Sequence, residues 1–487
     1  MGMGYRGAMQ VILVSSDTLR ADHLGCHGYF RPTSPRIDRF AAEGVDFVDH
    51  VSQAPYTLPS FTNLITGQFG TTHKVLANPS GQNQNFPVGV DDYTPMLADL
   101  FRASGPTIEM AHGRYVSGGT LTASFDNLVN FPNHPRWFVR GYEFHVNVTP
   151  GNQRMVGAEV LHRRLFPWLE QHAREDFFLF IHYWDVHGPY LAPAPHGEQY
   201  PHQKVGDSIP VYSAPGGQDY IRGWGPVSEV TPEARAKIDA YDGGINYFDH
   251  VFGQLLDHLD ALGIGKQAVV ALTADHGESM AEHRVPFAHD ELYQATINTP
   301  LIIRAPAGSG PGGGLPAGRT VTALSQAVDI APTMLDLAGL TEAAASPHFQ
   351  GKSLVSLARG EVEQLHERSY SEWTRYLASR CIRTPRHKLI YKFTGGLALA
   401  RRTPRRVAWH ELYDLQADPD ETRDLAAEQP NLVRQLDAEL QEWVRSQLQP
   451  GEEDPLLRPE MACWEPGPRA GTGGALALLP PERNPWI

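Results

Sequence analysis

Two kinds of hydrophobic pattern alternate along this chain. Val11-Ile12-Leu13-Val14, Phe177-Phe178-Leu179-Phe180-Ile181 and Ala268-Val269-Val270-Ala271-Leu272 are short unbroken apolar runs, the pattern of strands buried on both faces. Stretches 34–43, 62–66 with its flanks, 155–174 and 232–262 instead repeat their apolar residues at helical spacing. The alternation predicts an α/β fold. Each apolar run also ends in reactive side chains: Asp17 after the first, His182, Asp185 and His187 after the second, Asp275-His276 after the third. Sheets of this class place their ligands at the carboxyl ends of the strands, so these three ends are expected to meet.

Later in the chain, residues 381–393 and 409–413 read as short strands, followed by a helix over 428–447. That suits a small antiparallel sheet with one covering helix. The division expected is a large catalytic domain over 1–345, a small α+β domain over 346–449 and an irregular tail over 450–487. Residues 189–230 are rich in Pro, Gly and Tyr without periodicity, which predicts an insertion or lid over the site. The Pro, Gly and Trp content of the tail suits a strap on the body or on a neighbouring subunit.

Composition narrows the partners. The 487 residues carry a formal charge of −14, and nucleic-acid phosphates require clustered cations, so a nucleic-acid polymer is not the expected partner. No apolar stretch reaches 18 residues and no export signal precedes Val11, so neither a membrane partner nor export is expected and the localisation expected is cytoplasmic. Three widely spaced cysteines, Cys26, Cys381 and Cys463, support neither a disulfide framework nor a Cys-rich zinc site.

The chemistry-bearing residues fall into one set. Pro59 and Ser60 are helix-start residues, which puts Thr57 beside a helix N-terminus, where backbone N–H groups favour an anion. Asp275-His276 and Asp17 add two carboxylates and an imidazole. With the Thr57 hydroxyl they form an O/O/O/N ligand set. A metal there would activate the hydroxyl and polarise the oxygen of a phosphoryl or sulfuryl group.

At this point the chain resembles the sulfatase-like branch of the alkaline phosphatase superfamily. The resemblance rests on Ser16-Asp17-Thr18-Leu19-Arg20 through Tyr29, the Thr57 motif, Thr273-Ala274-Asp275-His276-Gly277-Glu278 and Val328-Asp329-Ile330-Ala331-Pro332-Thr333, in the family's order. It implies a large α/β domain with a mixed central sheet flanked by helices, plus a small C-terminal α+β domain. Sulfatases resemble Cys-x-Pro-Ser-Arg at the Thr57 motif and convert the Cys to formylglycine. Here Thr57 stands in the Cys place and Phe61 in the Arg place, so formylglycine is not expected.

Thr18 stands where the family pairs a second Asp, and His276 where it carries Asn. These departures resemble phosphonate monoester hydrolases and phosphodiesterases. Exchanging a carboxylate for an imidazole shifts the expected single metal from Ca²⁺ towards Mn²⁺ or Zn²⁺. The resemblance further implies His187 and His289 as groups that protonate a leaving alkoxide, and Asn78, His73 and Thr107 as substrate contacts. The activity expected is hydrolysis of phosphodiesters or phosphonate monoesters through a phospho-Thr57 intermediate. The alternatives are a formylglycine-independent sulfate ester hydrolase and a degenerate oxyanion-binding protein without turnover. In each case the ligand is a small-molecule phosphate, phosphonate or sulfate ester.

Overall fold

The computed structural model describes residues 9–78, 89–104, 107–110, 114–117, 119–131, 135–147, 149, 156–200, 209–310, 312–374, 378–394 and 408–457. Its large sheet has eight strands: β1 (Gln10–Ser16), β2 (Val45–Phe47), β3 (Leu121–Asp126), β4 (Phe144–Asn147), β5 (Phe177–Tyr183), β6 (Val269–Ala274), β7 (Leu301–Arg304) and β8 (Arg319–Val321). Their spatial order is β8-β2-β7-β6-β1-β5-β3-β4. The sheet is mixed, because β7 runs antiparallel to both β6 and β2 while β1 pairs in parallel with β5 and β6.

The unbroken apolar runs follow from burial on both faces. In β1, Ile12 and Val14 enter one core with α1 (Pro35–Glu43), α3 (Ala158–His172) and α4 (Pro232–Ala261), while Val11 and Leu13 enter a second with α2 (Thr57–Thr66) and α5 (Ile330–Leu337). With a two-residue side-chain period, a strand covered on both sides needs apolar residues at every position.

A second sheet is antiparallel, in the order β9 (Ser369–Thr374), β10 (Ala378–Arg383), β11 (His387–Phe393) and β12 (Ala408–Asp414). It packs against α6 (Pro430–Gln447) through Ile382, Leu389, Leu412, Leu436 and Leu440. Its other side joins the large body, where Trp373, Cys381 and Ile390 share a core with Val51, Leu292 and Ile297. Buried charges reinforce that junction: Lys392 Nζ lies 2.9 Å from Glu411 and 3.3 Å from Glu291. The described start of the tail also docks on this sheet, with Asp454 Oδ1 accepting from Arg380 at 2.7 Å. Within 189–230, the described residues form a small three-stranded sheet over 212–226 that buries Trp224 against Tyr29, the indole N–H donating to the phenol oxygen at 2.8 Å. No helix among the described residues is long and apolar enough to cross a membrane.

Two buried imidazoles give the fold an acid limit. Burial pushes His50 and His73 down from 6.5 to about 3, so between these values the unfolded chain binds protons that the folded chain refuses. Stability is therefore fully present above pH 6.5 and is lost as pH falls below it, by up to about 1.4 kcal/mol per pH unit for each histidine. Urea unfolding midpoints measured from pH 7 to pH 5 are expected to fall, and His50→Gln is expected to flatten the slope. A wild-type midpoint that does not move over this range would refute the assignment.

Candidate active site

Sheet register builds the centre. Ser16 at the end of β1 pairs with Ala274 on one side and Tyr183 on the other, so Asp17 and Asp275 leave adjacent parallel strands at the same level. Both carboxylates are fully buried. Asp275 Oδ1 is held by the N–H groups of His276 at 2.9 Å and Thr18 at 3.2 Å. Thr18 has a φ of 57°, and this left-handed turn brings its N–H round to the carboxylate. Asp275 Oδ2 and both oxygens of Asp17 have no hydrogen-bond donor.

The helix α2 adds the hydroxyl. Thr57 is its first residue rather than the one before it, and Gly67 at φ 64° ends it. Ser52 and Ser60 hydroxyls donate to the Asp275 carbonyl oxygen at 2.6 and 2.5 Å, which locks the helix start onto the end of β6. Thr57 Oγ1 then lies 3.5 Å from His276 Nε2. His276 Nδ1 faces the Gly277 carbonyl oxygen at 2.9 Å, so Nδ1 carries the proton and Nε2 presents its lone pair to the carboxylates. Burial, then His289, push this imidazole down to about 3, which keeps it neutral as a ligand must be.

These residues fit a divalent metal. Oxygen and nitrogen atoms of Asp17, Asp275 and His276 lie within 4.8 Å of one another, and the orphaned oxygens point into the same space. Two facing buried carboxylates without a cation are strongly unfavourable. The Asp17 charge, after burial itself, raises the Asp275 carboxyl well above its usual range. Burial would raise Asp17 too, but His187, His182 and His276 outweigh it and hold this carboxyl below the usual range.

Two imidazoles stand at the edge of this centre. His187 Nε2 is 4.0 Å from Asp17 Oδ1 and its side chain is 20% exposed, which leaves it reachable by a ligand. The His289 ring centroid is 4.5 Å from that of His276 and 6.0 Å from that of His187. Its Nδ1 lies 3.4 Å from Glu278. Burial would lower this histidine, and Glu278 outweighs burial to raise it, which favours a proton on the ring near neutral pH.

The substrate contacts implied by resemblance are placed differently. Asn78 caps α2, its amide oxygen accepting from the Leu58 N–H at 3.0 Å, so it steadies the helix start beside Thr57. The ring nitrogens of His73 face Asn63 Nδ2 and the Val75 N–H, both at 3.0 Å. The Thr107 side chain lies outside the described residues. Asp185 accepts from the Ala158 N–H at 3.0 Å and caps α3 instead of joining the centre.

Two contributors were given no role from the sequence, although His182 was read among the strand-end residues and Glu278 within a motif. His182, inside β5 and fully buried, places Nε2 3.4 Å from Asp17 Oδ2. Glu278 joins His289 to Tyr190, whose hydroxyl donates to it at 3.1 Å. Both lie in stretches that the strand-end pattern had marked, so the signal was present without the geometry to rank them.

Residues 10–340 match the Sulfatase family, and residues 281–447 match the family described as N-sulphoglucosamine sulphohydrolase, C-terminal. The chain belongs to the sulfatase family. Among its relatives, arylsulfatase K of Bos taurus is 25% identical over 90% of this chain and 83% of its own length. The delta 4,5-hexuronate-2-O-sulfatase of Bacteroides thetaiotaomicron is 26% identical over 85% of this chain and 84% of its own. The phosphonate monoester hydrolase of Agrobacterium radiobacter shares the fold, with a TM-score of 0.64 at 20% identity over 91% of this chain and 96% of that one. This sulfatase-family chain therefore has a hydrolase's architecture, with sequence relatives that act on sulfate esters.

Proposed function

We propose that this chain is a metal-dependent hydrolase of small sulfate esters, with unmodified Thr57 as nucleophile. The observation that carries the reading is the approach of the Thr57 hydroxyl, at 3.5 Å, to His276, whose ring clusters with the Asp17 and Asp275 carboxylates. Thr57 taken alone puts phosphorus first, and the sulfatase relatives move the substrate class to sulfur. Asp17, Asp275 and His276, with Thr57 Oγ1, would hold a single divalent ion, Mn²⁺ or Zn²⁺ by donor type. When bound, that ion supplies a Lewis acid that acidifies a hydroxyl and polarises the ester oxygens.

The chain's own groups account for the rest. Thr57 Oγ1 gives its proton to solvent and attacks sulfur; the new O–S bond forms as the ester S–O bond breaks. The departing alkoxide takes a proton from His289, held by Glu278, or from His187. Water then attacks the sulfur of sulfo-Thr57 as the Oγ1–S bond breaks; one water proton returns to the imidazole, the other to Thr57 Oγ1, and sulfate leaves. The insertion 189–230 borders this space through Tyr190 and is the segment assigned to choice of the alcohol.

A second reading has its own support. Thr57 has one hydroxyl, so its adduct is released only by attack at the central atom, a step for which phosphodiesters and phosphonate monoesters are suited. Purified chain loaded with Mn²⁺ or Zn²⁺ should be assayed on an aryl sulfate, phosphodiester, phosphonate monoester and phosphomonoester. Fastest turnover of the sulfate is expected. Fastest turnover of the diester or phosphonate would move the assignment to phosphorus, and tight oxyanion binding without turnover would make the chain a binding protein.

A further inference from the structure

Among the described residues, a second group of side chains able to ligate a metal meets outside the centre. Cys26 and His27 end the short turn 25–27 that follows the first strand, and Asp46 comes from β2. Val45 and Phe47 face the core with α2 and α5, so strand alternation sends Asp46 to the opposite face, where it is 5% exposed. His27 Nε2 reaches its two carboxylate oxygens at 2.9 and 3.0 Å. Cys26 Sγ, a ring nitrogen of His27 and an Asp46 oxygen all lie within 4.8 Å of one another.

An imidazole–carboxylate pair alone is an ordinary structural contact. It does not account for a thiol inside the same sphere. A second carboxylate borders that thiol: Asp38 Oδ1 accepts from the Cys26 N–H at 2.8 Å. Burial, then Asp46 and Asp38, push the thiol well above its usual range, so the free protein keeps it protonated between two anions. A divalent cation would reverse this by neutralising the carboxylates and stabilising the thiolate. A cavity of about 410 Å³, lined by Cys26, His27, Arg20 and Asp22 among others, opens beside the group and has room for water in a fourth position.

We propose that Cys26, His27 and Asp46 form a second divalent metal site, separate from the Asp17 centre and suited to Zn²⁺. Sulfur, nitrogen and oxygen donors from three side chains, completed by water, match the tetrahedral preference of zinc and disfavour Ca²⁺ and Mg²⁺. On binding, the S–Hγ bond of Cys26 breaks, the proton passes to solvent and the sulfur pair forms the Sγ–metal bond; nothing is oxidised or reduced. The site does not depend on which ester the enzyme hydrolyses.

Cobalt separates the two sites, because the Asp17 centre holds no sulfur. Titrating the full chain with Co²⁺ is expected to fill two sites, one of them with an intense thiolate-to-cobalt charge-transfer band in the near ultraviolet. Cys26→Ser should abolish that band and keep the other site. Asp46→Asn should weaken the thiolate site by about 100-fold or more with the thiol still present, which covers the case in which the cysteine variant does not fold. In the Asp17→Asn, Asp275→Asn chain the band should persist. No charge-transfer band at saturating Co²⁺, or its survival in Cys26→Ser, would overturn the proposal.

Discussion

Thr57→Ala lowers kcat on the best ester by about 10⁴-fold or more, the scale on which removal of a nucleophile is felt. The hydroxyl is fixed by its position rather than by side-chain flexibility: it opens α2, and Ser52 and Ser60 tie that helix start to the carbonyl of Asp275. The substitution removes one oxygen and one methyl group from a site 2% exposed, so the fold survives and the thermal midpoint changes little. Thr57→Ser, which restores the oxygen, is expected to recover most of the activity. The decisive trial is single-turnover labelling, in which wild type traps a covalent adduct on Thr57 and the alanine variant traps none. Turnover that persists at the wild-type rate in Thr57→Ala would remove Thr57 from the chemistry and leave the centre to activate water directly.

Removing the metal has the second large effect, and it lowers activity and stability together. Chelation abolishes turnover, and Mn²⁺ or Zn²⁺ restores it. It also leaves two buried carboxylates, Asp17 and Asp275, opposing each other with three undonated oxygens. Ion binding to the folded state alone contributes about 2.7 kcal/mol at a hundred times its Kd, so the melting temperature of wild type rises on loading. Asp17→Asn removes the charge that faces Asp275 together with its attraction to His187, His182 and His276, so the variant neither gains stability from the ion at this centre nor turns over substrate. Calorimetry with and without chelator reads both effects. A rise in melting temperature on loading the variant as large as that of wild type would remove Asp17 from the metal centre.

Several of these groups could be read before any fold was known, and the reason is local. Asp17 and Asp275-His276 terminate unbroken apolar runs, and a run that must be buried on both faces announces its own end where polar residues begin. Thr57 carried its signal in the helix-start residues that follow it. His73 carried its signal in a motif, and the structure sets its ring against Asn63 and the Val75 amide. His182 was marked at a strand end but given no role, because only the neighbouring β1 makes its imidazole a partner of Asp17. Glu278 and His289 are eleven positions apart in the chain, and the loop between them brings them together.

The same division holds for the whole protein. Periodicity, helix starts and the residue types at strand ends are short-range properties, so the chain by itself determined the α/β class, the main helices and the residue types at the strand ends. Sheet order is a long-range property. The pairing of β1 with β6 and β5 set Asp17 level with Asp275, the antiparallel insertion of β7 brought β2 into the sheet, and alternation within β2 turned Asp46 towards Cys26 and His27. Only the tertiary structure decided these meetings, because which strands become neighbours depends on how the two hydrophobic faces of the sheet are covered by helices drawn from distant parts of the chain.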